Sequence, residues 1–327
     1  MRRGWKILLL SMMAGICLLA GCAPAAFSGF DAPVYFLYPD AASMPGSAVY
    51  RVDPDGEGAW RLPLHTGVDD CLQAGETLYF VTHNDDTDIA PTPYMLTELY
   101  RYRDGQETLL AKTVVGTIQI DGGRLYYLQY RGEADTLWLC CYDTRTGKQH
   151  LLFETPMDTF LADGGRIYTV EAGDAGGMTV LRLYDLADGE SRLLAEGSGM
   201  FTLEAALPEG LVYADGTGAR WYHSLETGEA VALPYQGLLL PGEGTEGYLL
   251  TQDDWIERVP LAHPGEGERL IQAVRYTGEA ESISRFYRLE GWLYFSTDSG
   301  PTYRHDPATG AVERCPDVVR GLPAGRE

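Results

Sequence analysis

Gly122-Gly123-Arg124-Leu125-Tyr126-Tyr127 is the stretch that decides the fold, because versions of it recur along the chain. Most versions place a glycine turn directly before an apolar strand that contains tyrosine. The aligned positions are Tyr35, Tyr79, Tyr126, Tyr168, Tyr213, Leu249 and Tyr294. They are separated by 44, 47, 42, 45, 36 and 45 residues. Regular spacing of this size indicates a repeat architecture.

The second half of each unit repeats as well. A further strand ends at an Asp-Gly or Thr-Gly turn, as in Asp104-Gly105, Thr146-Gly147 and Asp188-Gly189. These dipeptides supply the positive φ angle that a tight hairpin needs. Each unit therefore predicts three or four short antiparallel strands, and no stretch beyond the first 26 residues shows clear helical periodicity.

A twisted four-stranded unit repeated with this period predicts an all-β fold, a β-propeller with seven blades of four antiparallel strands, after an N-terminal signal helix. The unit at residues 237–271 is the least regular, which leaves six or eight blades open. Residues 318–322 are expected to lend a strand to the first blade and close the ring, so that no sheet edge stays open.

The N-terminus carries a targeting signal. Arg2, Arg3 and Lys6 precede an apolar stretch at residues 7–19, which has the length of a signal-peptide core and is too short to span a bilayer. Leu18-Leu19-Ala20-Gly21-Cys22 resembles the lipobox of bacterial lipoproteins. The resemblance implies that Cys22 receives a diacylglyceryl group and becomes the mature N-terminus. We expect a signal peptide at 1–21, a tether at 22–31 and a single propeller domain at 32–327.

The tyrosine-rich blades are similar to those of TolB-like propellers and of uncharacterised propeller lipoproteins of Gram-positive bacteria. That resemblance covers nearly all of the mature chain and implies the fold. It does not imply an activity, because propellers support binding, hydrolysis, lyase and redox functions alike. With the lipobox it predicts a palmitate-type lipid anchor that holds the chain on the extracytoplasmic face of the cell membrane.

Charge excludes one class of function. The chain holds 25 Lys and Arg against 47 Asp and Glu, a formal net charge of −22. Loss of residues 1–21, which contain three cations and no acid, takes this to −25. Nucleic-acid binding through a basic surface is excluded, since phosphate contacts need cations. The remaining cysteines, Cys71, Cys140, Cys141 and Cys315, are expected to be buried free thiols, although disulfides stay open.

The loops that follow the second strand of each unit are acidic and should lie on one face of the ring. The candidate ligand-binding residues in these loops are His83, Asn84, Asp85, Asp86, Asp88, Asp253, Asp254 and Trp255. Such a face suits a cationic ligand, a basic peptide or calcium. Acids also occur in the turns of the opposite face, at Asp53, Asp55, Asp104 and Asp188, which favours simple solubility as the alternative.

No catalytic residue or resident cofactor can be named from the sequence, because nucleophile-elbow, HExxH, Walker and dinucleotide patterns are absent from it. We therefore expect a monomeric extracytoplasmic binding module. Its partner would be an envelope protein, a peptide or a saccharide. The alternatives are a propeller enzyme of lyase, lactonase or cyclase type, and a structural or assembly lipoprotein of the envelope.

Overall fold

The described strands form seven four-stranded units. The structure, a computed structural model, describes residues 24–39, 46–83, 96–131, 137–155, 159–173, 177–278, 282–317, 319 and 321–326. We call the four strands of a blade A to D, with A innermost and D outermost. The prediction of an all-β propeller with seven four-stranded blades is confirmed. The predicted signal helix lies outside the described residues.

The blades follow one another in chain order, except that strand A of blade 1 comes from the C-terminal segment. Blade 1 contains β28 (Leu322–Pro323), β2 (Val34–Pro39), β3 (Ser47–Val52) and β4 (Ala59–Arg61). Blades 2 and 3 contain β5 (Asp70–Ala74), β6 (Thr77–His83), β7 (Leu96–Arg103), β8 (Gln106–Asp121), β9 (Arg124–Tyr130), β10 (Leu137–Asp143) and β11 (Gln149–Thr155). Blade 4 contains β12 (Phe160–Asp163), β13 (Arg166–Ala172), β14 (Met178–Asp185) and β15 (Ser191–Ser198).

Blade 5 contains β16 (Thr202–Leu207), β17 (Gly210–Ala214), β18 (Arg220–Ser224) and β19 (Ala230–Leu233). Blade 6 contains β20 (Leu238–Pro241), β21 (Glu246–Leu250), β22 (Trp255–Pro260) and β23 (Glu268–Gln272), and a four-residue helix α1 (Val274–Thr277) follows it. Blade 7 contains β24 (Arg285–Leu289), β25 (Trp292–Ser296), β26 (Tyr303–His305) and β27 (Val312–Arg314), with β1 (Ala25–Ala26) added outside β27. The last strand is β29 (Gly325–Arg326).

Blades 2 and 3 share one continuous strand. β8 runs for 16 residues as strand D of blade 2 and then as strand A of blade 3. The left-handed backbone at Thr113 (φ 58°) and Gly116 (φ 70°) accompanies a register shift in the pairing with β7 and another in the pairing with β9. Val114 and Val115 lie between them and pair with both strands. At the end of β8, Gly122 and Gly123 both have positive φ, as a tight two-residue hairpin requires.

The core lies between the blades. Seven clusters of buried apolar side chains each join two neighbouring blades, from blades 1 and 2 (with Tyr35 and Leu78) round to blades 7 and 1 (with Tyr294 and Phe36). Apolar burial therefore continues around the whole ring. This arrangement explains why both faces of most B strands are apolar, because each sheet packs against a neighbour on each side.

The C-terminal segment closes the ring. β28 pairs antiparallel with β2 at Phe36 and Leu37, and the Ala324 N–H donates to the Tyr35 carbonyl at 2.8 Å. β29 then pairs parallel with β5 of blade 2. The C-terminal chain thus supplies strand A of blade 1 and also contacts blade 2. Strand A begins at Leu322, the last residue of the predicted segment 318–322, and ends one residue later.

The part of the expected tether that the structure describes, residues 24–31, lies against the ring. β1 pairs parallel with β27, and the Phe30 N–H donates to the Pro54 carbonyl at 2.7 Å. In the part of the chain that the structure describes, no helix has the length and apolar character needed to cross a bilayer.

Candidate functional site

Four of the eight residues predicted for ligand binding lie outside the described residues, namely Asn84, Asp85, Asp86 and Asp88. The predicted lipidation site Cys22 also lies outside them. His83 is the last residue of β6, where its backbone is paired with Thr97. Ligand binding by this acidic loop stays a prediction.

Asp253 and Asp254 lie in the turn between β21 and β22 of blade 6. Asp254 has φ 55°, and its Oδ1 accepts the Ile283 N–H at 3.3 Å. Its carbonyl accepts the Ala273 N–H at 2.9 Å. Asp254 therefore ties this turn to the segment that leads into blade 7, which is a structural task independent of any ligand.

Trp255 was expected in a loop but is the first residue of β22, where it pairs with Gln272. Its ring is half-buried beneath two arginines. The guanidinium carbons of Arg269 and Arg275 lie 4.9 and 5.9 Å from the ring centroid. A ligand that stacked on Trp255 would have to compete with these two cations.

Two other acidic residues at the same end of the ring, Asp215 and Glu171, accept hydrogen bonds from side chains of their own blades. The Thr217 hydroxyl and the Trp221 Nε1–H donate to Asp215 and lower the pKa of its carboxyl to about 2. Glu171 accepts hydrogen bonds from Thr169 and Tyr184. Within the described ranges, His, Cys, Asp and Glu side chains form no group of three that could hold a metal ion.

The four cysteines among the described residues are buried and free. Burial raises the pKa of the Cys140 thiol to about 11 and that of Cys315 to about 12. Both thiols are therefore protonated at neutral pH, which disfavours nucleophilic or redox chemistry. The four residues are Cys71, Cys140, Cys141 and Cys315.

Two carboxyls with raised pKa lie on inner strands. Burial is the main cause at Asp70 on β5 and at Asp163 on β12, where the charge of Asp121 adds to it. Asp121 itself accepts the Gly165 N–H at 2.9 Å and so stabilises a turn of blade 4. Since blade 3 separates β5 from β12, the two perturbed carboxyls belong to different blades and not to one cluster.

A row of side chains crosses strands B, C and D of each blade on the face that meets the next blade. In blade 1, strand register places Tyr35 beside Arg51, and Arg51 beside Trp60. The same positions hold Tyr79, Arg101 and Thr108 in blade 2, Tyr248, Arg258 and Glu268 in blade 6, and Tyr294, Arg304 and Glu313 in blade 7. A tyrosine–arginine pair therefore recurs in four blades.

The row of blade 1 forms one wall of a cleft of about 520 Å³, which we call the blade 1–2 cleft. The opposite wall comes from blade 2 and includes Glu76 in the A–B turn, Tyr102, and Asp104 in the C–D turn. Aromatic rings, a guanidinium and two carboxylates thus surround one space. Ligand pockets commonly combine such groups at this size.

Trp60 is the most exposed side chain of the row in blade 1. It is 44% exposed, and the guanidinium carbon of Arg51 lies 4.9 Å from its ring centroid. Burial raises the pKa of Tyr35, although the charge of Arg51 opposes this rise. At the base of the cleft, the Gln73 amide donates to the Pro33 carbonyl at 2.8 Å and joins the two blades. The cleft is therefore preformed by contacts between blades.

This cleft opens at the end of the ring that carries the A–B and C–D turns. The predicted residues Asp253 and Asp254 lie between strands B and C of blade 6, and Trp255 begins strand C, at the other end of the ring. The residues Tyr35, Arg51 and Trp60 were not predicted as a site. A signal for them exists, because the dipeptide Tyr-Arg recurs in strand C at Tyr50-Arg51, Tyr100-Arg101 and Tyr303-Arg304.

A second cleft, of about 420 Å³, lies in the equivalent place between blades 6 and 7. Its charges are engaged with one another. Arg258 Nη2 donates to the Pro307 carbonyl at 2.7 Å, and Arg258 Nη1 lies 3.4 Å from Glu268. Arg288 Nη2 donates to Glu243 at 3.0 Å. A ligand here would have to displace these internal contacts.

The equivalent space between blades 7 and 1 is filled by the N-terminal segment. Arg304, only 1% exposed, lies between the rings of Phe27 and Trp292, with its guanidinium carbon 4.2 and 4.3 Å from their centroids. It also donates to Glu313 at 2.6 Å and to the Gly29 carbonyl at 2.9 Å. Three equivalent clefts thus differ. The one between blades 7 and 1 is filled, Arg258 spans the one between blades 6 and 7, and Arg51 of the blade 1–2 cleft pairs with Asp53 of its own blade at 3.5 Å.

Comparison with known proteins supports the fold. No family model and no curated protein sequence matches the chain. Among solved structures, the β-propeller domain of the trilobed protease from Pyrococcus furiosus is similar, with a TM-score of 0.52 and 11% identity over 76% of this chain and 84% of that chain. An oligogalacturonate lyase in complex with manganese is similar with a TM-score of 0.52 and 12% identity, over 90% and 100% of the two chains.

An acylaminoacyl peptidase also matches, with a TM-score of 0.53 and 12% identity over 76% of this chain, which spans only 45% of the peptidase. TolB from Acinetobacter baumannii matches at 12% identity over 89% of this chain and 82% of TolB, but its TM-score of 0.44 is too low to carry an argument. At these identities the similarities establish the fold alone. They identify this chain as a β-propeller that is similar in fold to propeller proteins with different activities.

Proposed function

We propose that this chain is a lipid-anchored binding propeller of the extracytoplasmic face, and that its binding site is the blade 1–2 cleft. The observation that carries the proposal is the cleft itself. It has a volume of about 520 Å³ and exposes Trp60 beside Arg51 and Tyr102. Tryptophan, tyrosine and arginine are the residue types that most often dominate binding energy at interfaces.

Trp60 also supports a binding role through its surroundings. A large ring that is 44% exposed on an outer strand leaves apolar area in contact with water. Covering that area with a partner is favourable at about 25 cal/mol per Å². The neighbouring Arg51, Glu76 and Asp104 supply the directed polar contacts that give such a contact its specificity.

The lipid anchor is the second part of the proposal, and it rests on the lipobox-like Leu18-Leu19-Ala20-Gly21-Cys22. Two or more acyl chains hold a protein stably at a bilayer, whereas one chain is marginal. The test is substitution of Cys22→Ser followed by membrane fractionation and labelling with a palmitate analogue. We expect the parent chain in the membrane fraction with label, and the variant without label. A labelled variant would contradict the anchor.

Site-specific photo-crosslinking in intact envelopes tests the binding site. A benzoylphenylalanine replaces Trp60 in the cleft or, as the control, Leu193 on the outer strand of blade 4, which is 51% exposed. We expect a discrete crosslinked product from position 60 that position 193 does not give. Equal products from both positions, or none from position 60, would remove the blade 1–2 cleft as the binding site.

A further inference from the structure

The residues that follow the predicted lipidation site are fixed to the outside of blade 7. Ala25 and Ala26 form β1, which pairs in parallel with β27 and adds a fifth strand to this sheet. Phe27 then stacks on Arg304, whose guanidinium carbon lies 4.2 Å from the centroid of the ring. This part of the expected tether is therefore a piece of the folded domain and not a free linker.

The ring of Phe27 occupies a tight socket between blades 7 and 1. Gly56, in the C–D turn of blade 1, has φ 74°, and a Cβ there would lie 2.7 Å from the Phe27 ring and 3.0 Å from Pro316. The next residue, Ser28, donates its N–H and its hydroxyl to the buried carboxylate of Glu313. Such close packing fixes the segment in one position, because displacing it would leave a void and a buried charge with fewer partners.

The direction of β1 decides where the anchored chain leaves the ring. β27 starts directly after the C–D turn of blade 7, at residues 306–311, and β1 runs in the same direction as β27. The chain before Ala25 therefore leaves the ring on the side of this turn. Cys22 precedes Ala25 by only three residues, which span at most about 11 Å. A lipid on Cys22 would thus be held close to the outer edge of blade 7.

We propose that the latched N-terminal segment docks the ring on the lipid bilayer in one orientation, with the C–D turn of blade 7 towards the lipid and the outer end of blade 4 away from it. This inference rests on the lipid anchor of the proposed function and adds the surface that faces the bilayer. With a formal net charge of −22, the chain is not attracted to anionic headgroups, so the short latched tether sets the orientation. The blade 1–2 cleft opens at the same end of the ring, so its partner meets it close to the bilayer.

Two single-cysteine variants report the orientation through a donor fluorophore. Ala308→Cys places the donor in the C–D turn of blade 7, where the residue is exposed. Met200→Cys places it directly after the outer strand of blade 4, where the side chain is 64% exposed. The native thiols of the described chain are buried, and a sample without an added cysteine corrects for their labelling. The full-length chain, purified from bacterial membranes, is added to phosphatidylcholine vesicles that carry an energy acceptor on their headgroups.

Because three strand spacings of about 4.8 Å separate strands A and D, the outer strands of opposite blades lie at least about 29 Å apart, and we expect energy transfer to be at least about twofold stronger from position 308 than from position 200. A flexible Gly-Ser insert of about 20 residues after Ala23 adds a reach of about 25 Å and should bring the two efficiencies together. Phe27→Ala loosens the latch and should also reduce the difference. Leu151→Ala, which removes a 48% exposed side chain from the outer strand of blade 3, should leave it unchanged.

Vesicle flotation of each sample separates failure of the orientation from failure of the anchor. Equal transfer from both positions, in a chain that floats with the vesicles, would overturn the orientation and leave the lipid anchor standing. A difference that the Gly-Ser insert does not reduce would also overturn it, because a surface contact and not the latched tether would then orient the ring. A parent chain that floats no better than Cys22→Ser would remove the anchor and this inference together.

Discussion

Substitution of Arg304→Ala tests whether the N-terminal segment is latched onto blade 7. Arg304 donates five hydrogen bonds, two to Glu313 and one each to Tyr294, Gly29 and Ser28. Its side chain is 1% exposed and that of Glu313 is 9% exposed. Alanine would leave a buried carboxylate with only the Ser28 contacts. Removal of one partner of a buried ion pair costs about 3–5 kcal/mol.

The free energy of unfolding is measured in urea from tryptophan fluorescence, on the chain from residue 22 onward with Cys22→Ser. The matched control is Arg269→Ala, in which an exposed arginine bonded to Glu257 and stacked on Trp255 is lost. Because the Arg269 side chain is 62% exposed, we expect that control to lose about 1 kcal/mol or less. Phe27→Ala removes one of the two rings and should lose an intermediate amount.

The pH dependence gives the same prediction a second readout. Burial raises the pKa of Glu313, but hydrogen bonds from Ser28 and Arg304 outweigh it and bring the pKa below its usual value of 4.5. A carboxyl with a lowered folded pKa contributes stability above the unfolded pKa, and that contribution disappears as pH falls through the folded pKa. Arg304→Ala should flatten this acid limb. A loss below about 1 kcal/mol, with the acid limb unchanged, would refute the latch.

Three further predictions concern burial and closure. Burial lowers the pKa of His223 and His305 below 6.5, so the free energy of unfolding should fall as pH drops below about 6.5, because the unfolded chain takes up protons there and the folded chain does not. Replacing both histidines by leucine should reduce this pH dependence in urea titrations, and an unchanged slope would contradict the assignment. Deletion of residues 321–327 removes strand A of blade 1 and should lower the unfolding midpoint while blade 4 keeps its hydrogen-exchange protection; an unchanged midpoint would show that β28 does not close the ring. In native protein the thiols should react slowly with a thiol reagent and rapidly in denaturant, and immediate reaction in the native state would contradict the burial of Cys71, Cys140, Cys141 and Cys315.

The architecture was predictable because it is repeated. A glycine turn before a tyrosine strand, as at Gly122-Gly123 and Tyr126, predicts strand B of most blades, and the irregular unit at residues 237–271 leaves six or eight blades open beside seven. Closure by the C-terminal segment followed from the need to cover a sheet edge. The alignment has two exceptions, because Tyr213 and Leu249 face the preceding blade whereas aligned residues such as Tyr168 and Tyr294 face the following blade. Since strand side chains alternate between faces, a one-residue shift reverses the face.

The candidate site was not predictable in the same way. Tyr35, Arg51 and Trp60 are separated by 16 and 9 residues and meet only through the register of β2, β3 and β4. The N-terminal segment is held by Arg304, almost 280 residues away along the chain. No local pattern in the sequence of that segment indicates this contact. The acidic loops were predicted as a site because charge can be read directly from a sequence. A cleft between two blades depends on how the blades pack and cannot be read in this way.

Site-specific photo-crosslinking tests most directly whether the blade 1–2 cleft is the binding site. Benzoylphenylalanine at position 60 lies in the cleft, whereas at position 193 it lies on the outer strand of blade 4. The account predicts a discrete crosslinked product in intact envelopes from position 60 that position 193 does not give. Equal products from both positions, or no product from position 60, would contradict it.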